Sequence, residues 1–87
     1  MFVKFELSTG YSGMDETVIY HFPDNTSDAD IDEYGHDLAM GNAESFGCFD
    51  DENYDEDDVE CGWEKLEGYT EEQIHNEFGD FEEAYIG

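Results

Sequence analysis

Hydrophobic and polar residues alternate through the first part of the chain, which is the period of a strand with one buried face. A loop composition with Gly10 and Gly13 interrupts the alternation over residues 9–15, and Pro23 ends it. The pattern therefore predicts a β-hairpin over residues 1–23. Its apolar face consists of Val3, Phe5 and Leu7 in the first strand and Val18, Tyr20 and Phe22 in the second.

The apolar spacing becomes helical after residue 27. Ser27 and Asp30 resemble a capping box, with Asp in place of the usual Glu, and predict a helix from Asp28 to Phe46. Gly47 is a natural stop for this helix. The predicted buried stripe of the helix consists of Ile31, Tyr34, Leu38 and Phe46.

Strand alternation returns near residue 59 and is followed by a second helical segment. The apolar positions of this third strand are Val59, Cys61 and Trp63. Thr70 and Gln73 form a second capping box, which predicts a helix through Phe78. Phe81 and Tyr85 continue the helical spacing beyond this point.

The element order β-β-α-β-α is typical of an α+β fold, in which an antiparallel sheet is packed by helices. Hydrophobic residues make up 38% of the 87 residues and aromatic residues 16%. Acidic chains that remain disordered are poor in aromatic residues. The sequence therefore predicts one small folded domain over residues 1–87.

Charge is distributed very unevenly along the chain. The sequence has 26 acidic residues against two lysines and no arginine, for a formal net charge of −24. Residues 1–23 hold three acids and Lys4, a net of −2, whereas residues 24–87 hold twenty-three acids and Lys65, a net of −22. The hairpin is thus interpreted as a scaffold, and residues 24–87 as the acidic portion.

This charge excludes direct binding to nucleic acid or to an anionic membrane, because both require cationic protein surface. A partner protein is expected to be basic, and the chain itself to be a monomer or dimer. The amino-terminal segment MFVKFELS does not fit a signal peptide, and no apolar run approaches a membrane span. We therefore expect a cytoplasmic protein with reduced thiols.

Thirteen carboxylates are candidates for contacting that partner. Helical and strand spacings separate such groups by about 5–7 Å, close to the spacing of phosphates along a DNA strand. Aromatic residues such as Phe49 and Tyr54 are expected to add desolvated contacts. The candidates are Asp30, Glu33, Asp37 and Glu44 in the helix; Asp50, Asp51, Glu52, Asp55, Glu56, Asp57 and Asp58 in the loop; and Glu60 and Glu64 in the third strand.

The size, the near-absence of basic residues and the segments DDENYDEDDVE and DADIDEYGHDLA give the chain a resemblance to a known class. It resembles the small acidic proteins of bacteriophages and mobile elements that act as DNA mimics. These include anti-CRISPR proteins, anti-restriction proteins and uracil-DNA glycosylase inhibitors. The resemblance implies an inhibitor that occupies the nucleic-acid-binding groove of a host defence nuclease, such as a restriction enzyme or a CRISPR effector subunit. Mimicry of DNA and mimicry of RNA both remain open.

Two alternatives accompany this hypothesis. The first is a binding module for another basic protein, such as a nucleoid protein or a DNA-repair enzyme. The second is a calcium-binding module, because residues 24–31 follow the opening of an EF-hand loop. However, Ala29 replaces its glycine and Gly35 its bidentate Glu, while a second possible loop beginning at Asp51 is equally incomplete.

No catalytic or cofactor motif is present in the sequence. It contains no phosphate-cradling glycine loop and no nucleophile elbow. His21, His36, His75, Cys48 and Cys61 lack the paired spacing of a zinc site. The sequence therefore predicts a non-enzymatic protein without a metal or another cofactor.

Overall fold

A computed structural model describes residues 1–11, 13 and 15–84 of the chain. It confirms the α+β class and the predicted element order. Two short 3₁₀ turns, Cys48–Asp50 and Glu56–Asp58, lie between the first helix and the third strand. The remaining elements are β1 (Phe2–Ser8), β2 (Glu16–His21), α1 (Asp28–Ser45), β3 (Glu60–Leu66), α2 (Glu71–Phe78) and β4 (Glu82–Glu83).

The sheet is built around β1, in the strand order β3-β1-β2-β4. β1 pairs antiparallel with both neighbours, and Phe5 lies opposite Val18 on one side and Trp63 on the other. β4 pairs in parallel with β2, so the sheet is mixed instead of wholly antiparallel. Two residues are too short a run to show a strand period, which is why the sequence pattern did not indicate β4.

The larger part of the core lies between α1 and one face of the sheet, which we call the first face. Val3, Phe5 and Leu7 point from β1 to this side, as predicted, and all three are buried. They pack in one cluster with Ile31 and Ala39 of α1. The alternation in the hairpin therefore specifies which side of the sheet α1 covers.

Close contact between α1 and the sheet depends on a glycine. A Cβ at Gly35 would lie 2.8 Å from both the Phe5 ring and the Cys61 sulfur, well inside van der Waals contact. Gly35 thus lets the helix backbone approach β1 and β3. Gly35 weakens α1 as an isolated helix, but it allows α1 to pack closely on the sheet.

The opposite side of the sheet, the second face, has a smaller cluster at one end. Phe2, Ile19 and Leu66 of the sheet are buried there against Ile74 of α2. Phe81 contacts Phe2 edge-on, with 4.9 Å between the ring centroids. β1 is therefore covered on both faces, by α1 along its length and by α2 near its beginning.

The end of α1 differs from the sequence expectation, whereas α2 has the predicted bounds. α1 ends at Ser45, and Phe46 is its exposed C-cap residue, not a member of the buried stripe. α2 has the predicted capping box at Thr70 and ends at Phe78, as predicted, and Gly79 follows it with a φ of +96°. Phe81 consequently packs from an extended segment, and Tyr85 lies outside the described residues.

Two glycines of α1 give a matched test of this packing. We expect Gly35→Ala to destabilise the fold by about 1–3 kcal/mol, because the new methyl group overpacks the Phe5 contact. Gly41→Ala should instead stabilise it by up to about 1 kcal/mol, since nothing lies within 4 Å of its Cβ position. Urea denaturation of both variants measures the difference. Equal effects of the two substitutions would contradict the close approach at Gly35.

Cys61 makes the stability of the fold depend on pH. Burial raises the pKa of the Cys61 thiol from its usual value of 9.0 to about 11, and the nearby Asp32 carboxylate adds to the shift. Between these two values the unfolded chain releases the thiol proton and the folded chain retains it, so stability falls as pH rises. Urea denaturation from pH 8 to pH 11 should show a steeper loss for the wild type than for Cys61→Ala. Parallel curves would disprove this assignment.

Candidate protein-binding surface

All 26 acidic residues are exposed, so the core contains no carboxylate. The cations available to offset them are few, and they are already engaged. Lys4 lies 2.9 Å from Glu64 and 3.7 Å from Glu6, and Lys65 lies 2.6 Å from Asp28. The amino terminus lies 3.1 Å from Asp24. Most of the acidic surface is therefore electrostatically uncompensated.

Four carboxylates form a line on the outer side of α1, which we call the α1 stripe: Asp30, Glu33, Asp37 and Glu44. At about 100° per residue they fall within about 60° of one another, opposite the buried residues Ile31 and Ala39. The helical rise places the first and last about 21 Å apart along the axis. None of the four has an ion-pair partner among the described residues. The stripe thus points directly away from the sheet.

Residues 50–58, which we call the acidic loop, have a defined local structure. The Asp51 side chain accepts a hydrogen bond from the Asn53 backbone N–H at 2.9 Å. The Asp55 side chain accepts one from the Asp57 N–H at 2.9 Å and caps the second 3₁₀ turn. The sequence alone did not indicate this geometry, although Asp is a common residue in such turns. The seven loop carboxylates are exposed on a folded segment.

Tyr54 anchors the acidic loop to the hairpin. Its hydroxyl donates a hydrogen bond of 2.7 Å to the Thr9 carbonyl oxygen, and Thr9 is fully buried. The Tyr54 ring lies 5.5 Å from Tyr11 and 5.4 Å from Phe49, centroid to centroid. Burial raises the pKa of the Tyr54 phenol, which favours the protonated form that donates this bond.

The α1 stripe and the acidic loop meet at the end of α1. Phe46 and Gly47 connect them, and Gly47 takes a φ of +77° to turn the chain into the first 3₁₀ turn. The Asp50 N–H bonds back to the Gly47 carbonyl at 3.1 Å. The structure thus places eleven of the predicted carboxylates on two connected elements.

Glu60 and Glu64 lie elsewhere. Both side chains extend from β3 on the second face, the side of the sheet opposite α1, as the pairing of Glu64 with Lys4 shows. The hydrogen bond from Lys4 to Glu64 raises the pKa of the lysine, despite partial desolvation. Glu64 is the one predicted residue with an ion-pair partner in the described part of the chain.

Glu16 and Glu82 are two further exposed acids, which the sequence pattern did not single out. Both line the space between α1 and the β2 side of the sheet. The position of Glu16 could have been predicted, because alternation along the strand puts it on the same side of the sheet as Val18 and Tyr20, which face α1. Glu82 could not, because its position depends on the short parallel strand β4.

The EF-hand-like segments do not form a metal-binding site in the described part of the chain. Asp28 and Asp30 belong to the first turn of α1, not to a loop, and Asp28 is paired with Lys65. No group of three or more His, Cys, Asp or Glu side chains converges on one point within the described ranges. Cys48 and Cys61 are free thiols.

Neither helix of the described structure has the length and apolar character needed to cross a bilayer. Comparison of the chain with protein-family models, with curated proteins and with solved structures gave no match.

Tyr54 offers a test of how the acidic loop is held. Tyr54→Phe removes one partly buried hydrogen bond and leaves the Thr9 carbonyl without its donor, so we expect a loss of about 1–3 kcal/mol. Tyr11→Phe is the matched control, because Tyr11 is exposed and should change stability by less than about 0.5 kcal/mol. Guanidinium denaturation compares them. Equal stability of the two variants would show that the Thr9 contact does not hold the loop.

Self-repulsion predicts a stabilising effect of salt. Raising NaCl from 10 to 100 mM shortens the Debye length from about 30 Å to about 10 Å and screens the carboxylates from one another. A gain of about 1 kcal/mol would raise the melting temperature by about 4–8 °C for a chain of this size. Choline chloride should act like NaCl, since the effect is not binding of a particular cation. A melting temperature that falls over this range would contradict a clustered acidic surface.

Proposed function

We propose that the chain is a non-enzymatic inhibitor that mimics nucleic acid and blocks the basic groove of a host defence nuclease or complex. Restriction enzymes and CRISPR effector complexes are the expected targets. The proposed site of action is the cytoplasm of the host cell. The observation that supports the proposal is the set of uncompensated carboxylates on the α1 stripe and the acidic loop, two elements that follow one another directly in the fold.

Rigid support makes this surface suitable for mimicry. A groove that neutralises phosphates with Lys and Arg binds well only to anions already held at phosphate-like spacing, because ordering them on binding costs entropy. The α1 stripe is held by a helix packed on the sheet, and the acidic loop is held through Tyr54. The field of the exposed carboxylates also steers a basic partner towards this side at a high association rate.

Phe49 and Tyr11 add apolar contact area beside the carboxylates. Their exposed fractions are 40% and 43%, and both rings contact Tyr54. Aromatic side chains that become buried on binding commonly account for much of the affinity of an interface. The carboxylates would therefore raise the association rate of the partner, and the rings of Phe49 and Tyr11 would lower its dissociation rate.

A pair of charge-reversal variants tests the position of the interface. Asp30, Glu33 and Asp37 are changed to Lys in one variant, and Glu67, Glu72 and Asp80 in the other. The two changes alter net charge equally, and each includes one acid from the first turn of a helix. The immobilised wild-type chain is used to capture proteins from a host lysate, with elution by salt and identification by mass spectrometry, and the affinity of each variant for the captured partner is then measured.

We expect the first variant to bind the captured partner at least 100-fold more weakly, and the control to stay within a few-fold of the wild type. Thermal melts verify that both variants are folded. Retained affinity in the first variant would contradict the role of the α1 stripe. Equal losses in both would show that net charge, not phosphate-like geometry, drives binding. If the captured partner is a nucleoid protein or a DNA-repair enzyme, the anti-defence role is wrong, and the alternative of another basic target is correct.

A further inference from the structure

A groove of about 320 Å³ separates α1 from the β2 side of the first face. Val18, Tyr20 and Leu38, all half-buried, supply its apolar wall. Glu16 and Glu82 supply carboxylates, and neither has an ion-pair partner among the described residues. The groove thus combines an apolar wall with two unpaired acids.

The electrostatics inside the groove disfavour negative charge. Burial is the main cause that raises the pKa of the Tyr20 phenol, and the neighbouring Tyr34 adds to it. The carboxylates of Glu82 and Glu16 raise it further, because they repel the phenolate. A cation placed between these two acids would be stabilised by the same fields.

Asn42 leaves a donor unused in the wall of this groove. Its residue exposure is 7%, and its side-chain Nδ2 is buried without a hydrogen-bond acceptor in the described part of the chain. Unpaired buried donors are rare in folded proteins, because each costs about 1–3 kcal/mol. An acceptor supplied from outside the chain would remove that cost once the amide turns about its terminal torsion.

The outer edge of β2 is available beside the groove. β4 pairs only with Tyr20 and His21, so residues 16–19 have no strand partner on that edge within the described structure. Their backbone groups can pair with an extended segment of another protein. Such a segment would lie next to Glu16 and Asn42.

Gly41 opens the groove towards the α1 stripe. It follows Asp37 by one helical turn and precedes Glu44 by three residues, so it lies between them at the stripe margin. Unlike Gly35, it has nothing within 4 Å of its Cβ position, so intramolecular packing does not require glycine there. Glycine costs a helix about 1 kcal/mol relative to alanine. Its missing side chain leaves a passage from the acidic stripe into the groove.

We propose that this groove receives an arginine side chain from an extended segment of the basic partner, an inference that rests on the proposed function. The aliphatic stem packs on Val18 and Leu38, and the guanidinium donates to Glu16 and Glu82. A backbone carbonyl next to that arginine accepts from Asn42. A second copy of this chain cannot supply that side chain, because the sequence contains no arginine.

The test uses a blocked pentapeptide, acetyl-Gly-Gly-Arg-Gly-Gly-amide, and its citrulline counterpart, which has nearly the same shape but no charge. Both are titrated into ¹⁵N,¹³C-labelled protein at 150 mM NaCl and followed by NMR. Gly41→Leu places a large side chain in the passage, and leucine also favours the helical conformation of α1. His36→Leu adds the same side chain to an exposed position on the other flank of α1.

We expect the arginine peptide to shift the Val18 methyl, Tyr20 ring and Asn42 amide signals in a saturable way. The citrulline peptide should bind at least fivefold more weakly. Gly41→Leu should weaken arginine-peptide binding at least fivefold while melting at or above the wild-type temperature, and His36→Leu should leave it unchanged. Shifts spread over the whole acidic surface, or equal binding to Gly41→Leu, would overturn the proposal.

The captured partner separates this inference from the proposed function. One outcome is that the partner binds Gly41→Leu with full affinity but fails to bind the α1 charge-reversal variant. In that case the groove does not hold an arginine of the partner, and the proposed nucleic-acid mimicry is unaffected. If the groove selects arginine but no basic nucleic-acid-binding protein is captured, the proposed function fails and the site remains.

Discussion

Mutual repulsion among the carboxylates is the constraint to which the rest of the structure responds. A formal charge of −24 on 87 residues opposes any compact state. The fold limits this repulsion by leaving every acidic side chain exposed to water and building its core without any carboxylate, mainly from aromatic and aliphatic groups. β1 is central to that solution, since Phe5 is buried on one face of the sheet and Phe2 on the other.

The few cations have structural positions. Lys4 joins β1 to β3 through Glu64, and Lys65 joins β3 to the beginning of α1 through Asp28. Trp63 supports the second junction by donating a hydrogen bond of 3.2 Å to Asp32. The lysines thus hold elements together and leave the α1 stripe and the acidic loop without compensation. The proposed mimicry depends on this uncompensated surface being held by folded elements.

Much of the fold could be predicted because local patterns and tertiary packing agree. The parity of Val3, Phe5 and Leu7 identified the face that α1 covers, and Thr70 with Gln73 identified the start of α2. The helical spacing of Asp30, Glu33 and Asp37 identified the α1 stripe. In each case a short-range periodicity determines the direction of the side chain.

Other features depend on contacts between distant parts of the chain. The anchoring of the acidic loop requires Tyr54 to meet Thr9, forty-five residues away. The groove requires β4 to place Glu82 beside β2 and α1, and no local pattern encodes that pairing. The sequence does not distinguish Gly35 from Gly41, because both are glycines within the same predicted helix. Only the packing of α1 on the sheet shows that close approach requires glycine at Gly35 and not at Gly41.

Competition with nucleic acid decides whether the acidic surface replaces phosphates in a partner's groove. A fluorescent duplex is bound to the captured partner, and its anisotropy is followed as the protein is added at several salt concentrations. Mimicry predicts complete, competitive displacement of the duplex, with an affinity that weakens as salt rises. A stable ternary complex, in which duplex and protein are bound to the partner together, would contradict it.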